Sequence, residues 1–143
     1  MGWSYGQCVV DTRRLIERFF GALDRRDWVG FAEVLHPELV YEIPQSRERI
    51  RGRDRYVRFN REYPGDWHLT PTQILVDGAA GVGRFQWRVG ETAPEEAFVF
   101  FEVRDGLLAS VTDCWPEPYE PPPGREQLTE RWCPALSRRD RRG

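Results

Sequence analysis

The sequence predicts an α+β fold, with three helices in the N-terminal half followed by a mostly antiparallel β-sheet. Three observations predict it. Apolar residues recur at three- and four-residue spacing between residues 11 and 35 and again between 56 and 63, the period of a helix with one buried face. Between residues 68 and 115 the pattern changes to short apolar or alternating runs punctuated by Asp77-Gly78, residues 90–95 and Asp105-Gly106, as in an antiparallel meander. A length of 143 residues suits one domain with a single core that needs no disulfide staples.

The first helix runs from Asp11, with Asp11 or Thr12 as cap, through Leu15, Ile16, Phe19, Phe20 and Leu23. Asp24-Arg25-Arg26-Asp27 breaks it. Trp28, Phe31, Ala32 and Leu35 mark a shorter second helix that stops at His36 before Pro37, because a residue preceding proline is pushed out of the helical region. Leu39–Ile43 reads as a short strand ended by Pro44, and residues 45–53 read as a polar connection. Tyr56, Phe59 and Tyr63 define a third helix that Pro64-Gly65 stops. Four strands follow at residues 68–77, with a bulge at Pro71, and at 82–89, 97–104 and 107–115. Beyond Trp115 the composition shifts. Prolines at 116, 118 and 121–123 favour an extended tail, with a short helix expected over Gln127–Trp132 and a basic end. The chain therefore divides into an N-terminal extension (residues 1–10), a folded domain (11–116) and a Pro-rich, basic C-terminal tail (117–143).

Composition excludes several functions. Twenty-one basic against twenty-three acidic residues give a formal charge of −2, which argues against a nucleic-acid binder held by counterion release. All the basic residues are arginine, so Schiff-base and P-loop lysine chemistry are unavailable. Cys8, Cys114 and Cys133 form no CxxC pair and read as reduced thiols, and neither they nor His36 and His68 stand at zinc-site spacing, so neither metal nor cofactor is expected. With no signal-like start and no run long enough to cross a bilayer, the expected location is the cytoplasm, with no membrane partner. The Arg-rich stretch from Arg47 to Arg61 is interleaved with Glu48, Asp54 and Glu62 and reads as a solvated or dimer-facing surface. The abundance of Ala, Gly, Pro and Arg fits a GC-rich bacterial genome.

The residue that asks for a function is Asp113. Asp is depleted in strands and a buried carboxylate is costly, yet alternation places Asp113 on one face with Val111 and Trp115. As a general acid/base its affinity for a proton would be raised by apolar neighbours; as a structural group it would be bound to an Arg or a backbone amide. Residues 97–103 are apolar on both faces, so the helices cover one and a second copy of the chain is the expected cover for the other.

The order of elements, together with Arg18-Phe19-Phe20-Gly21-Ala22-Leu23-Asp24-Arg25-Arg26-Asp27-Trp28, Leu35-His36-Pro37-Glu38-Leu39-Val40-Tyr41-Glu42, Ile50-Arg51-Gly52-Arg53-Asp54 and Asp105-Gly106-Leu107-Leu108, resembles the SnoaL-like branch of the nuclear transport factor 2-like superfamily over residues 12–115. The resemblance implies a cone, a curved sheet of the cystatin-like roll type wrapped around the three helices. It also implies a deep apolar pocket for a small apolar or aromatic molecule, and a homodimer through the outer sheet face. The fold hosts isomerases, cyclases, epoxide hydrolases and binding proteins, so it leaves the reaction open. The positions at which ketosteroid isomerases carry their tyrosine, base and protonated acid fall here at Phe19, Ile43 and Phe98 or Val99. All are apolar. The aspartate of SnoaL-type polyketide cyclases corresponds to Asp113, counted from Gly106, although the tryptophan before it is Thr112 here. The expected site is therefore Asp113 as acid/base, with Tyr41, Trp115, Trp87, Phe19, Tyr56, Phe59 and Phe98 as the pocket wall. The leading expectation is cofactor-free aldol cyclisation or isomerisation of a carbonyl compound. The alternatives are a ligand-binding protein without activity and, less favoured, an epoxide hydrolase that pairs Asp113 with Arg84 or Arg88.

Overall fold

A computed structural model describes residues 11–133. Three helices, α1 (Thr12–Arg25), α2 (Trp28–Glu33) and α3 (Arg53–Glu62), lie with six strands: β1 (Leu35–Ile43), β2 (Glu48–Arg51), β3 (Trp67–Asp77), β4 (Ala80–Val89), β5 (Glu95–Arg104) and β6 (Leu107–Cys114). The strands form one open, curved sheet in the order β2-β1-β6-β5-β4-β3, in which only the β1–β6 pair is parallel. This is the α+β cone. No helix among the described residues is long and apolar enough to cross a membrane.

Local chemistry sets the helix ends. The Asp11 carboxylate accepts from the Arg14 amide at 3.0 Å, and Asp27 does the same for the Gly30 amide at 3.0 Å, satisfying otherwise orphan donors at each N-terminus. Arg26 closes α1 in the left-handed region at φ 61°, an uncommon conformation for a non-glycine residue. Its guanidinium holds it there by donating to the carbonyls of Leu23, Asp24 and Trp67. α1 buries Ile16, Phe19, Phe20 and Leu23 against the sheet. Glycines let it approach: a Cβ on Gly81 would sit 2.5 Å from Ile16 Cδ1, and one on Gly83 would sit 2.7 Å from the Phe20 ring. Phe19, Phe20, Phe31, Phe85 and Phe101 meet ring to ring at centroid distances of 4.9–6.2 Å to form the centre of the core.

Four expectations need correction. The second helix ends at Glu33, and the chain is already extended at Leu35, because Leu35 registers with Leu108 and the Leu108 amide bonds the Val34 carbonyl at 2.9 Å. Pairing with β6 overrides the helical spacing, and Pro37 is accommodated in the register shift between Leu35 and Val40. Residues 48–51 form strand β2, hairpinned on β1 with Tyr41 opposite Ile50, although their polar composition reads as a connection. Gln127–Trp132 form no helix; Leu128 and Trp132 stand 89% and 72% exposed, so no apolar face is buried to support one. β6 ends at Cys114, one residue before Trp115. Residues 1–10, with Cys8, and the basic end at 134–143 lie outside the described residues, while Cys114 and Cys133 are free thiols.

Candidate functional site

A cavity of about 470 Å³ opens between α1, α3 and the concave face of the sheet. Ten of its lining residues are aromatic, which sets its character as an apolar, flat-walled site. Its depth is made by buried side chains, among them Phe19, Tyr41, Tyr56 and Phe85, and its mouth by exposed ones, among them Gln45, Ser46, Glu48, Glu95 and Glu117.

Sheet register brings the polar centre together. Tyr41 on β1 lies beside Val111 on the parallel strand β6, so Asp113, two residues further, shares its face. The Tyr41 hydroxyl donates a hydrogen bond to Asp113 Oδ2. On the other side of Asp113 stands Val99, its register partner on β5. Tyr56, from α3, stacks on Tyr41 with centroids 4.5 Å apart, and Phe59 packs on Tyr41 at 5.8 Å. Trp115 packs edge-on against Phe85 and Trp87, at 5.6 and 5.5 Å.

Burial pushes the Asp113 carboxyl up to about 6, and hydrogen bonding from Tyr41 and Trp115 only partly offsets it. Part of Asp113 remains accessible, and it is accessible to the cavity that it lines. The Tyr41 hydroxyl is pushed far up, first by burial and then by the Asp113 charge, and Tyr56 is pushed up by the same two causes in the same order. Both tyrosines therefore stay protonated, and Tyr41 acts as the donor to Asp113. Among the described residues Asp113 has no ion pair, and so no arginine partner.

Of the residues singled out from the sequence, Asp113, Tyr41, Trp115, Trp87, Phe19, Tyr56 and Phe59 all line this cavity. Phe98 does not. It alternates with Ala97 and Val99, which are buried on the concave side, so Phe98 faces outward with Phe100 and Val99 takes the place in the wall. The arginines also fall outside. Arg84 pairs with Glu96, Arg88 is exposed, and neither lines the cavity. His68 lies between Asp24, at 3.3 Å, and Asp66, at 3.0 Å, away from the cavity. Sequence reasoning missed Asn60, Trp67 and the three glutamates at the mouth. Asn60 follows Tyr56 by one helical turn, and that spacing is the signal that would have found it.

A family model of the SnoaL-like domain matches residues 16–111. The chain belongs to the SnoaL-like domain family. No curated protein matches it. Among solved structures, a Kribbella flavida DSM 17836 protein provisionally assigned as a ketosteroid isomerase is 49% identical, with TM-score 0.82, over 87% of this chain and 92% of that one. A Mycobacterium tuberculosis epoxide hydrolase of the LEH-like type is 27% identical, with TM-score 0.64, over 73% of this chain and 82% of that one. A Sinorhizobium meliloti protein provisionally assigned as a polyketide cyclase shares the fold at 19% identity and TM-score 0.62, over 70% and 93% of the two chains. Neighbours named for three different reactions thus share this cone.

Proposed function

We propose that this SnoaL-like protein is a cofactor-free acid/base catalyst acting on a small, largely apolar or aromatic carbonyl compound, with Asp113 as the proton carrier. One observation carries the reading: a carboxylate faces an aromatic cavity with neutral donors as its partners and, among the described residues, no cation to hold it ionised. The ionised carboxylate takes a proton from the carbon next to a carbonyl, leaving an enolate. In an isomerisation the Asp113 carboxylic acid returns that proton to a different carbon. In an intramolecular aldol closure the enolate carbon bonds to a second carbonyl carbon of the same molecule, and the proton passes to the new alkoxide. Tyr41 orients Asp113 throughout, and the Tyr56 and Phe59 rings fix Tyr41.

The pH profile tests it. Exchange of the α-hydrogen of a bound aromatic ketone for deuterium, followed by NMR, is expected to rise with pH through an apparent pKa near 6, where Asp113 loses its proton. A profile governed only by a group above pH 8 would remove Asp113 from the role. A 5-ene-3-ketosteroid serves as the negative control, because Phe19, Ile43 and Val99 put apolar side chains in the cavity at the positions where steroid isomerases carry polar ones. The second reading, a binding protein without turnover, has the same cavity in its favour. The epoxide hydrolase reading has less in its favour, since among the described residues neither Arg84 nor Arg88 nor any other arginine lines the cavity.

The same protein is proposed to form a homodimer through the outer sheet face. Leu75, Val82 and Phe100 are register partners across β3, β4 and β5, and Leu75 and Phe100 are 54% and 52% exposed in the single chain. Sedimentation at micromolar concentration is expected to give about twice the chain mass of 16.8 kDa, since a stable interface of this kind buries more than ~1,000 Å². A species at the single-chain mass would leave the row without a self-partner.

A further inference from the structure

We infer that the cavity selects ligands bearing a positive charge, an amine or ammonium group on an apolar or aryl body, over neutral and anionic analogues of the same shape. The inference rests on the cavity's being the ligand site. Four carboxylates line it, Asp113 within and Glu48, Glu95 and Glu117 at the mouth, and among the described residues no arginine or histidine does. That balance departs from that of the chain as a whole, where basic and acidic residues are nearly equal in number at twenty-one and twenty-three. Elsewhere on the surface Glu33, Glu38, Glu42, Glu62 and Glu96 each meet an arginine. The three glutamates of the mouth form no ion pair among the described residues, although they come from separate parts of the chain, β2, the start of β5 and the segment after β6. Glu48 also lines a neighbouring surface depression with Arg47 and Arg49, but it pairs with neither, and Arg49 is bonded to Glu42.

The wall chemistry points the same way. Tyr63 and Trp115 stand at 89° and 82° to the Trp87 ring, with centroids 5.8 and 5.5 Å away, and all three line the cavity. Rings set at right angles make a corner with electron-rich faces, a geometry that attracts an ammonium or guanidinium group. The cluster already holds one such cation: the Arg26 guanidinium lies 3.4 Å from the centroid of Trp67, which stacks on Trp87. Arg26 itself does not line the cavity. An anion entering would meet the negative faces of these rings and four carboxylates, with no counter-charge in the wall among the described residues.

The test compares three probes of one shape, 2-naphthylmethylammonium, 2-naphthalenemethanol and 2-naphthoate, by calorimetric titration of the full chain at pH 7.5 and low salt. The ammonium compound is expected to bind about tenfold tighter than the alcohol, and the carboxylate to bind weakest, with the spread narrowing as salt is raised. In the triple variant Glu48→Gln, Glu95→Gln, Glu117→Gln the ammonium compound should lose about tenfold in affinity, closing most of its lead over the alcohol. These side chains are exposed, so the variant should fold as the parent does. If the alcohol or the carboxylate binds the parent as tightly as the ammonium compound, the charge preference is wrong and the pocket reading stands. If none of the three binds, both fall. An ammonium preference left intact in the triple variant would also overturn the inference as argued from the mouth.

Discussion

Asp113→Asn is expected to fold like the parent and to lose about 100- to 10,000-fold of any proton-transfer rate, the range observed when a positioned general acid/base is removed. The stability half of this expectation follows from the sign of the shift. Asp113 holds its proton up to about pH 6 in the folded chain against 3.8 ordinarily, so the native state binds that proton more tightly than the unfolded chain does. Its contribution is fully present below about pH 4, falls as pH rises, and is gone above about pH 6, where the ionised carboxylate costs of the order of 2–3 kcal/mol. Asn removes the charge. It can still accept from Tyr41, but its amide group disfavours a second donor, at a cost of about 1 kcal/mol. The variant should therefore match or exceed the parent's stability in urea at pH 7.5, and the advantage should vanish at pH 4. A variant that unfolds readily at neutral pH would show that Asp113 is a structural carboxylate, and the non-catalytic pocket would become the better reading.

Phe101→Ala is expected to destabilise the fold by about 3–5 kcal/mol, the usual range for emptying an aromatic site in a close-packed core. Phe101 is 1% exposed on β5, and its ring meets Phe19 and Phe20 of α1 at 4.9 and 6.2 Å, so its removal opens a void at the junction of helix and sheet. It does not line the cavity, which separates this effect from ligand binding. Urea denaturation measures it. A loss below about 1 kcal/mol would mean that α1 does not pack on β5 as described. The one-residue neighbour makes the contrast: Phe100, 52% exposed on the other face, should cost the isolated chain little when truncated.

The two faces of β5 also mark where sequence and structure divided the work. Periodicity alone made α1, α3 and the four-stranded meander legible, because an amphipathic helix or strand carries its burial pattern in its own spacing. It also made Asp113 legible, since a carboxylate amid apolar alternation conflicts with its surroundings in a way that can be seen without coordinates. Residues 97–103 carry large apolar side chains on both faces, and the one polar residue, Glu102, is the only mark of orientation in their own spacing. The fold puts Glu102 outward with Phe98 and Phe100 and turns Val99 into the cavity. The strand at Leu35 was hidden for a related reason, in that its residues fit a helical spacing and the β6 edge that claims them lies about 70 residues further along the chain. Pairing across such distance leaves no local signature. The same holds for the site. That Asp113 is flanked by Tyr41 rather than by an arginine, and that Glu48, Glu95 and Glu117 gather at one mouth, follows from the register of strands far apart in sequence, which composition and spacing do not encode.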